Sequence, residues 1–446
     1  MTSEVRRIVK LAACASFQEG YVNPSQRDPG YFGDDYKWLR ATDLNDGFVF
    51  NTSRGLSAKG FASAGKSALL FAPNTLAISK SGTIGRVGIL KDYMCGNRAV
   101  INIKVNPDCD TRFIFYTLLL NRQKIESLAE GSVQKNLYVS SLGRLEFELP
   151  SLPEQVRISE TIGALDDRIA LLRETNATLE AIAQAMFKSW FVDFDPVHAK
   201  QQGRAPEGMS EATAALFPDS FEESELGLVP RGWKVSRVED VAIKVGMGPF
   251  GSNIKVSTFV EQGVPVISGQ HLRGTLMEDL SFNFVTEAHA ERLKNSCVGA
   301  GDVVFTHAGN IGQVSLIHSD ALFDKYVLSQ RQFFLRCNKE IMYPEWITYF
   351  FRSPLGQHLL LANASQVGVP SIARPVTYLR SIQFVLPPIN LLRHFAEIAD
   401  SLHRQAIANR SRIQTLATLR DTLLPRLISG QLRLPQAEAA LEAVTE

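Results

Sequence analysis

The stretch NTLAISKSGTIGRVGIL (residues 74–90) occurs a second time, with changes, as GDVVFTHAGNIGQVSLI (residues 301–317). Each copy reads as an apolar strand, a glycine turn and a second strand of alternating pattern, which is typical of a β-hairpin. A repeat over so long a period indicates an internal duplication. The matching positions are Gly82, Ile84, Gly85 and Val87 in the first copy and Gly309, Ile311, Gly312 and Val314 in the second.

Two further pairs of segments extend this duplication along the chain. WLRATDL (38–44) aligns with VISGQHL (266–272), and SLGRLEFELPSLPEQVRI (141–158) aligns with YLRSIQFVLPPINLLRHF (378–395). The 446 residues are enough for two or three domains with sizeable cores. The sequence therefore predicts a tandem duplication of a unit of about 230 residues, each copy holding a domain of mixed α and β structure with short strands.

A helical pattern follows the last segment of each copy. Its apolar positions alternate at spacings of three and four over about four heptads, which is the seam of a coiled coil. We expect the two helices to pair antiparallel, with a polar residue in each seam fixing the register at a cost in stability. The alternative is that each stripe packs on the core of its own domain. The seams consist of Ile162, Leu165, Ile169, Leu172, Asn176, Leu179, Ala183, Met186 and Trp190, and of Ala399, Leu402, Ala406, Asn409, Ile413, Leu416, Arg420, Leu423 and Leu427.

Charge is unevenly distributed, although the formal net charge is only +1. Residues 1–150 contain 19 Lys and Arg against 14 Asp and Glu, and residues 231–387 contain 15 against 12. Residues 191–230 contain 2 against 8. Because two mildly basic blocks flank an acidic one, near-neutrality does not exclude a polyanionic partner such as nucleic acid.

The segment GFASAGKS (60–67) matches the phosphate-binding pattern G-x-x-x-x-G-K-[ST]. A P-loop requires a buried strand before the first glycine and a helix that begins at the Lys-Ser pair. Here the preceding residues are polar, and Pro73 ends any helix within two turns. The aligned segment EAHAERLK (287–294) has no glycine and reads as helical. We interpret the match as a chance one in a surface helix or loop; an ATP-binding enzyme is the alternative that rests on it alone.

Cysteine usage and hydropathy restrict the class of protein further. The five cysteines are scattered and never in C-x-x-C spacing, which favours a reduced, cytoplasmic protein without a zinc site. No apolar run approaches the roughly 18 residues of a membrane span. The first residues, MTSEVRRIVK, do not begin a secretory signal, so we expect a cytoplasmic protein that does not contact a membrane.

The length of the helix pair suggests a use for it. A helix of this length makes a rod of about 55 Å, somewhat more than one and a half turns of B-DNA. Two modules carried by an antiparallel pair could read two half-sites at a fixed separation, and the half-sites need not be palindromic because the modules differ in sequence. The same geometry would serve a scaffold that does not read DNA and only positions two partner enzymes.

Two segments in the middle of the chain carry a resemblance to a known family. FKSWFVDFDPVHAKQQGRAPEGM (187–209) and LFPDSFEESELGLVPRGWKV (216–235) resemble the middle of the specificity subunit of type I restriction–modification enzymes. The helix starts PSLPEQ and PPINLL, the glycine hairpins and LLPRLISGQL (423–432) are similar to the same family. The second helix departs from the pattern, because PPINLLRHF lacks the Glu-Gln pair and Arg420 interrupts its seam.

This resemblance implies a division of labour. Two target-recognition domains would each read one half of a bipartite asymmetric site in double-stranded DNA, and two helices would space them and dock two modification subunits. Those partners would transfer methyl groups to adenine from S-adenosylmethionine, and two restriction subunits, ATP-dependent motor–nucleases, can join them. The implied map is recognition domain 1 at 1–150, a central spacer helix at 151–190, an acidic linker at 191–230, recognition domain 2 at 231–387, a distal spacer helix at 388–430 and a tail at 431–446.

The chain itself is expected to be non-catalytic and to hold neither a cofactor nor a metal ion. An adenine methyltransferase needs an Asn/Asp-Pro-Pro-aromatic loop, and neither DPG (28–30) nor FDPV (194–197) fits that pattern. The acidic strings EESE (222–225) and FVDFD (191–195) lie in the acidic block and are interpreted as solvated linker rather than as a Mg²⁺ site. The eight histidines show no H-E-x-x-H or Cys/His spacing.

Candidate DNA contacts are polar residues in turns where both copies keep glycine but change the neighbouring side chains. The alternative is that these glycines only shape a hairpin and that the polar residues are solvated. Asn97, Arg98, Gln330 and Arg331 align with each other and fit either DNA contact or stabilisation of the fold. The base-reading candidates are Lys80, Ser81, Thr83, Arg86, Thr306, His307, Asn310 and Gln313 at the glycine turns, and Arg40, Thr42, Gln270, His271 and Arg273 after strand ends. The phosphate-contact candidates are Lys59, Lys66, Lys135, Lys255, Lys325 and Arg374.

A dense aromatic cluster ends the first helix. It consists of Phe187, Trp190, Phe191 and Phe194, and we predict that it docks a partner subunit. Core packing at a domain junction is the alternative.

Overall fold

The computed structural model describes residues 6–131, 135–365, 368–437 and 439. The chain divides into two compact units, one formed by Met1–Leu171 with Arg412–Glu446 and the other by Leu172–Ser411. Within the described ranges there is no helix that is long and apolar enough to cross a membrane. Part of the predicted tail, residues 438 and 440–446, lies outside the described residues.

The first unit contains short strands and short helices before a long helix. Its strands are β1 (Arg7–Lys10), β2 (Ala15–Glu19), β3 (Phe32–Leu39), β4 (Gly47–Val49), β5 (Gly55–Leu56), β6 (Leu70–Phe71), β7 (Leu76–Ser79), β8 (Val87–Leu90), β9 (Met94–Gly96), β10 (Val100–Val105) and β11 (Glu146–Leu149). Its helices are α1 (Leu11–Cys14), α2 (Ala58–Ala62), α3 (Thr111–Leu120), α4 (Arg122–Ser127) and α5 (Val139–Gly143), and α6 (Leu152–Phe191) begins here. The sheets have the orders β2-β10-β7-β8-β4, β5-β3-β9-β6 and β1-β11.

The second unit repeats this plan. Its strands are β12 (Phe221–Ser224), β13 (Gly227–Pro230), β14 (Lys234–Arg237), β15 (Ala242–Met247), β16 (Val264–Ile267), β17 (Asn283–Val285), β18 (Cys297–Val298), β19 (Asp302–Thr306), β20 (Val314–Leu316), β21 (Tyr326–Leu328), β22 (Gln332–Cys337), β23 (Ala364–Ser365), β24 (Ser371–Ile372) and β25 (Gln383–Leu386). Its helices are α7 (Asp195–Gln201), α8 (Glu211–Ala214), α9 (Val238–Val241), α10 (Glu287–Arg292), α11 (Pro344–Arg352), α12 (Pro354–Leu361) and α13 (Pro375–Ser381), and α14 (Ile389–Ile428) begins here.

Strand order and register confirm the predicted duplication. The antiparallel order β2-β10-β7-β8 recurs as β15-β22-β19-β20, and β5-β3-β9-β6 recurs as β17-β16-β21-β18. In the latter sheets the central pairs β3/β9 and β16/β21 are both parallel. The quoted hairpins also share their register, since Leu76 faces Ile89 in one and Val303 faces Leu316 in the other, at aligned positions. The chain is therefore a duplicated domain of mixed α and β structure.

The glycine hairpins are held in place by a helix packed on each of them. Helix α3 packs on β8, and α11 packs on β19 and β20. Asp110 starts α3 as its N-cap, because its carboxylate accepts a hydrogen bond from Phe113 N over 2.7 Å. The strands β7 and β8 are buried at every position, which explains their continuous apolar sequence and fixes the turn between them on a rigid base.

The long helices α6 and α14, of 40 residues each, pair antiparallel within each unit. In the first unit Arg420 Nη1 of α14 donates to Asp166 of α6 over 2.9 Å. In the second unit Asn409 of α14 donates to Asn176 of α6 over 2.9 Å. The predicted seam residues are buried or half-buried. Both interpretations of the stripe apply, because Ala183 and Ala399 of the seams also belong to the core of the second unit.

Residues 191–230, the predicted acidic linker, form α7, α8 and the hairpin of β12 and β13. Val197 and Phe217 from this segment are buried in the core of the second unit. Glu222 and Glu223 of the EESE string are exposed, and a Glu222 carboxylate oxygen accepts a hydrogen bond from Gly232 N over 3.0 Å. The segment is therefore packed on one domain, while Glu222 and Glu223 remain exposed to solvent.

Candidate DNA interface

The two glycine turns have the same backbone. Gly82 and Gly85 have φ angles of 75° and 84°, and Gly309 and Gly312 have φ angles of 84° and 85°. These values lie in the left-handed region, which glycine adopts without steric cost. Glycine is therefore favoured at these positions in both copies. The exposed polar neighbours differ: Thr83 in one turn is matched by Asn310 in the other.

Hydrogen bonds inside each turn hold its shape. In the first, Ser79 Oγ donates to the carbonyl of Thr83 over 2.5 Å and accepts from Arg86 N over 2.9 Å. In the second, Thr306 Oγ1 donates to Gln313 Oε1 over 3.1 Å. Gln313 is thus tied to its own turn, whereas the half-buried Arg86 guanidinium is in no ion pair within the described ranges.

Each glycine turn lies beside two other turns, and backbone hydrogen bonds join them. In the first unit Lys80 N donates to Ala99 O over 2.8 Å, and Asn97 N donates to Leu39 O over 2.9 Å, next to Arg40. We call these adjoining segments, residues 40–43, 79–86 and 97–99, the first turn edge. The structure thereby brings together the eight residues that the sequence singled out in this copy: Arg40, Thr42, Lys80, Ser81, Thr83, Arg86, Asn97 and Arg98.

The second unit contains the counterpart. His307 N donates to Arg331 O over 2.9 Å, and Ser329 N donates to Ile267 O over 2.8 Å, next to the turn that carries Gln270. We call the segments 268–273, 306–313 and 329–332 the second turn edge. The repeat of the same backbone contacts in both units indicates a common surface with different side chains.

Two of the candidates are held by internal partners. The Lys80 ammonium forms an ion pair of 2.9 Å with Glu19. His307 is half-buried, and its Nε2 lies 3.1 Å from the carbonyl oxygen of Gln330, to which it donates. Burial lowers the pKa of His307. Both side chains therefore stabilise their turn edge, and their prediction as DNA contacts stays a prediction.

The prediction that His271 contacts DNA is wrong. Its side chain is only 1 % exposed and stacks on Phe282 with ring centroids 4.4 Å apart. Its Nδ1 accepts a hydrogen bond from Ser268 N over 2.9 Å, and burial lowers its pKa. A neutral, enclosed imidazole cannot reach a groove, so His271 shapes its turn. Its neighbours Gln270 and Arg273 are exposed.

Arg40 and Thr42 lie in the first turn edge with different freedom. Arg40 Nη2 donates to Ser53 Oγ over 2.5 Å, and Arg40 Nε lies 3.7 Å from Asp43. Thr42 is exposed. Arg40 is therefore pre-positioned by two neighbours, while Thr42 is open to solvent.

The phosphate-contact candidates divide into paired and open residues. Lys59 forms an ion pair of 3.0 Å with Asp28, and Lys325 forms one of 2.7 Å with Glu287. These carboxylates raise the pKa values of their lysines. A phosphate would have to replace the carboxylate in each case. The remaining candidates, Lys66, Lys135, Lys255 and Arg374, are exposed.

Burial of the aromatic cluster contradicts the prediction that it docks a partner subunit. Phe187, Trp190 and Phe191 are 2 %, 6 % and 7 % exposed and belong to the core of the second unit. Phe191 packs edge-on to Phe395 at 5.2 Å. A partner could reach these three rings only by unpacking that core, so the prediction that they form a docking surface is wrong and the core interpretation applies. Phe194 is half-buried and packs on Trp233 at 5.6 Å.

The segment GFASAGKS lacks the setting of a P-loop. Gly60 lies within α2, and Gly65–Ser67 forms a separate 3-10 turn. The aligned residues form α10, so this part of the second copy is helical as expected. In the described part of the chain, no group of three or more His, Cys, Asp or Glu side chains is placed to hold a metal ion.

Comparisons with known proteins agree with this architecture. Residues 21–181 match the family model described as type I restriction modification DNA specificity domain. A specificity subunit of a type I restriction enzyme, MjaIX of Methanocaldococcus jannaschii, is 24 % identical over 449 residues, which cover 97 % of this chain and 94 % of that protein. The HindI specificity subunit of Haemophilus influenzae is 24 % identical over 367 residues, which cover 72 % of this chain and 77 % of that protein.

A solved structure has the same fold. The crystal structure of a type I restriction–modification S subunit from M. genitalium matches with a TM-score of 0.58 at 16 % identity, over 96 % of this chain and 97 % of that one. The family-model match begins in the first unit and extends into α6, so it includes the first turn edge. Residues 21–181 thus match the specificity domain of type I restriction–modification systems, and over nearly its whole length the chain is similar to the DNA specificity subunits of these systems.

Proposed function

We propose that each of the two duplicated domains reads one half of a bipartite, asymmetric DNA site through its turn edge. The supporting observation is that the two turn edges share one backbone but differ in side chains, as with Thr83 and Asn310. A common scaffold with different polar groups would read two different half-sites in the same manner. Because the domains differ in sequence, the site would not be a palindrome.

The helices α6 and α14 would set the distance between the half-sites and dock two modification subunits. Their ordered pairing in each unit, with Arg420 on Asp166 and Asn409 on Asn176, supports a rigid spacer. On α6, Leu171 and Ile182 are 51 % and 48 % exposed, although they lie on a long helix with a buried seam. Exposed apolar side chains on an outer helix face support docking by a protein partner.

In this proposal the chain is not itself an enzyme and binds no cofactor. Modification subunits would transfer the methyl group from S-adenosylmethionine to adenine, and two restriction subunits that use ATP can join them. The support is the match over nearly the whole chain to proteins named specificity subunits. The complex would act in the cytoplasm, where the DNA is.

The isolated subunit is expected to bind DNA weakly. Its net charge is only +1, and the ion pairs of Lys59 and Lys325 neutralise two of the predicted phosphate contacts. The modification subunits would therefore close around the duplex and supply much of the salt-dependent affinity. Titration of a duplex at several salt concentrations tests this; equal affinity and equal salt slope with and without modification subunits would contradict it.

The decisive experiment is co-expression of the chain with the modification subunit of its own system, followed by sequencing of the host DNA for N6-methyladenine. The expected result is methylation at one gapped, non-palindromic site, which gives both half-sites at once. An active complex that methylates adenine without a sequence preference would overturn the proposal and favour a scaffold that only positions its partners.

A further inference from the structure

We infer that Arg98 and Arg331 are the specificity-determining residues of the two turn edges, each donating to a guanine in its own half-site. This inference rests on the proposed function and makes it specific, because it assigns one base contact to each domain. It is carried by the position of the two arginines, by their freedom from internal partners and by the roles of their neighbours.

Both arginines occupy the central segment of their turn edge. Arg98 lies in the turn between β9 and β10, and Arg331 lies in the turn between β21 and β22, which are equivalent strands of the duplicated sheets. Each turn is bonded on one side to the glycine turn, through Lys80 N to Ala99 O and through His307 N to Arg331 O. In the structure Arg331 therefore corresponds to Ala99, and Arg98 corresponds to Gln330, one residue away from the sequence alignment, so the two arginines share a turn but not a position in it. On the other side each is bonded to the strand that precedes the third turn, through Leu39 O and Ile267 O.

The two side chains are exposed and uncommitted. Neither Arg98 nor Arg331 forms an ion pair or a side-chain hydrogen bond with any residue that the structure describes. Other cations of the turn edges differ in this respect: Lys80 is paired with Glu19, and Arg40 is bonded to Ser53. Arg86 and Arg273 are also unpaired among the described residues, but Arg86 is half-buried, and Arg273 lies in the third turn, outside the central segment of its edge.

The residue before each arginine has a structural role. Asn97 Oδ1 accepts a hydrogen bond from Ala99 N over 2.9 Å and closes its turn. Gln330 Nε2 donates to the carbonyl oxygens of Gly251 and, over 3.4 Å, Ile254, and holds the loop that contains them. In both copies, therefore, one polar residue fixes the backbone and the next presents a free guanidinium.

Local geometry also directs Arg331 across its edge. Its Nη1 lies 3.3 Å from the point that a Cβ on Gly309 would occupy, so the guanidinium rests against the glycine turn beside the exposed Asn310. A glycine at 309 leaves room for the arginine to approach the turn. This placement puts a planar cation next to a neutral amide, a combination suited to the edges of adjacent base pairs.

Guanine is the base that such a group reads best. A guanidinium donates two parallel hydrogen bonds to the O6 and N7 acceptors of guanine, and this pairing is the commonest specific protein–DNA contact. A phosphate also accepts from arginine, but such a contact carries no sequence information. The two possibilities differ in what a substitution does to the preferred site.

The test uses the intact complex with its modification subunits and the variants Arg98→Ala, Arg98→Lys, Arg331→Ala and Arg331→Lys. Methylated adenines are mapped across the host genome for each. Replacement of Arg98 is expected to relax one G·C pair in one half-site by about 10- to 100-fold and to leave the other half-site unchanged. Replacement of Arg331 is expected to do the converse, and lysine should not restore the preference, because it lacks the bidentate fork.

Matched controls come from a pair of aligned exposed cations on other strands. Lys10 ends β1 and Arg237 ends β14, and Lys10→Ala and Arg237→Ala should keep the wild-type site. Unchanged sites in the arginine variants, or methylation that weakens uniformly with no base relaxed, would overturn the inference and, in the second case, assign phosphate contacts. A wild-type complex without any sequence preference would instead overturn the proposed function itself.

Discussion

Asn409 donates from Nδ2 to Asn176 Oδ1 over 2.9 Å, and Asn176 Nδ2 donates in turn to the carbonyl oxygen of Ala406 over 3.2 Å. Asn409 is 1 % exposed, and its Oδ1 accepts a further bond from Gln405 over 3.0 Å. The amides satisfy each other only in this alignment of α6 and α14. A slip of the helices would place each amide against apolar seam residues, so the pair fixes the register.

Replacement of one amide should therefore lower the free energy of unfolding more than replacement of both. Asn409→Leu leaves Asn176 Oδ1 without this donor inside the seam, and we expect the free energy of unfolding to fall by about 1–3 kcal/mol. The double variant Asn176→Leu/Asn409→Leu should recover much of that loss, because two leucines fit an apolar seam. Chemical unfolding of the wild type, both single variants and the double variant measures this coupling; strictly additive losses would contradict it.

A second polar contact involves Arg420, the residue that interrupts the apolar seam of the second helix in the sequence. Asp166 of α6 accepts a hydrogen bond from Tyr116 Oη over 2.5 Å and from Arg420 Nη1 over 2.9 Å. Arg420 is thus a seam residue with an ionic partner, and the same carboxylate joins α3 to the helix pair. The side chains of Asp166 and Arg420 are only 27 % and 30 % exposed.

Asp166→Asn should destabilise the first unit by about 1–2 kcal/mol, because it removes the charge that faces the half-buried Arg420. The neighbouring Asp167 provides the control. Its side chain is 58 % exposed and pairs with Arg112 over 2.9 Å, so Asp167→Asn should cost less than about 1 kcal/mol. Thermal unfolding of both variants compares them; equal losses would contradict a special role for Asp166.

The features that could be predicted from the sequence are those that recur within the chain or along one helix. The glycine hairpins were recognisable because Gly82 and Gly309 must adopt the same left-handed conformation in both copies. The seam was recognisable because its period follows from helix geometry, and Asn176 and Asn409 stood out as polar residues in it. These signals are local, so no knowledge of tertiary contacts was needed.

The features that could not be predicted depend on residues far apart in sequence. His271 lies in a sequence segment that is typical of a turn, and its burial follows from the stacking of Phe282 on its ring. The aromatic cluster of α6 is enclosed by residues such as Phe395, which belongs to another helix. From the sequence alone Lys59 is expected to be free to contact phosphate, but in the structure its Nζ lies 3.0 Å from Asp28 Oδ2. Partners of this kind arise from tertiary packing, which a periodic pattern does not encode.

Aligned tyrosines in the two units contact the long helices through different partners, and the histidine partner in the second unit makes stability depend on pH. Tyr116 contacts Asp166 of α6, and at the aligned position Tyr349 contacts His403 of α14 over 2.9 Å. His403 is 3 % exposed, and burial lowers its pKa to about 4, although Glu180 opposes this shift. An unfolded histidine has a pKa of about 6.5. Between these values the unfolded chain binds a proton that the folded chain does not.

Stability should therefore be greatest above about pH 6.5 and should fall as the pH decreases towards about 4, with up to about 3 kcal/mol from this group. His403→Gln should lower stability at pH 7, because it disturbs the contact with Tyr349, but it should flatten the decline between these pH values. Urea unfolding at a series of pH values measures both effects. Parallel stability profiles for the wild type and the variant would show that His403 is not the titrating group.

The glycine and lysine of GFASAGKS should behave as residues of a helix and a turn. A Cβ at Gly60 would lie 2.0 Å from the carbonyl oxygen of Tyr31, so Gly60→Ala should cost about 1–3 kcal/mol of stability through overpacking. Lys66 is exposed, and Lys66→Ala should change stability by less than about 0.5 kcal/mol. In a P-loop both residues would instead be required for nucleotide binding.

Isothermal titration with Mg-ATP separates these two explanations, and Lys66→Ala is the informative variant because it should fold normally. We expect no nucleotide binding by the wild-type chain and none by the variant. ATP binding by the wild-type chain that is lost in Lys66→Ala would contradict the structural explanation. The glycines of the motif are explained without a nucleotide, since Gly60 makes room for a backbone carbonyl and Gly65 has a φ angle of 55°.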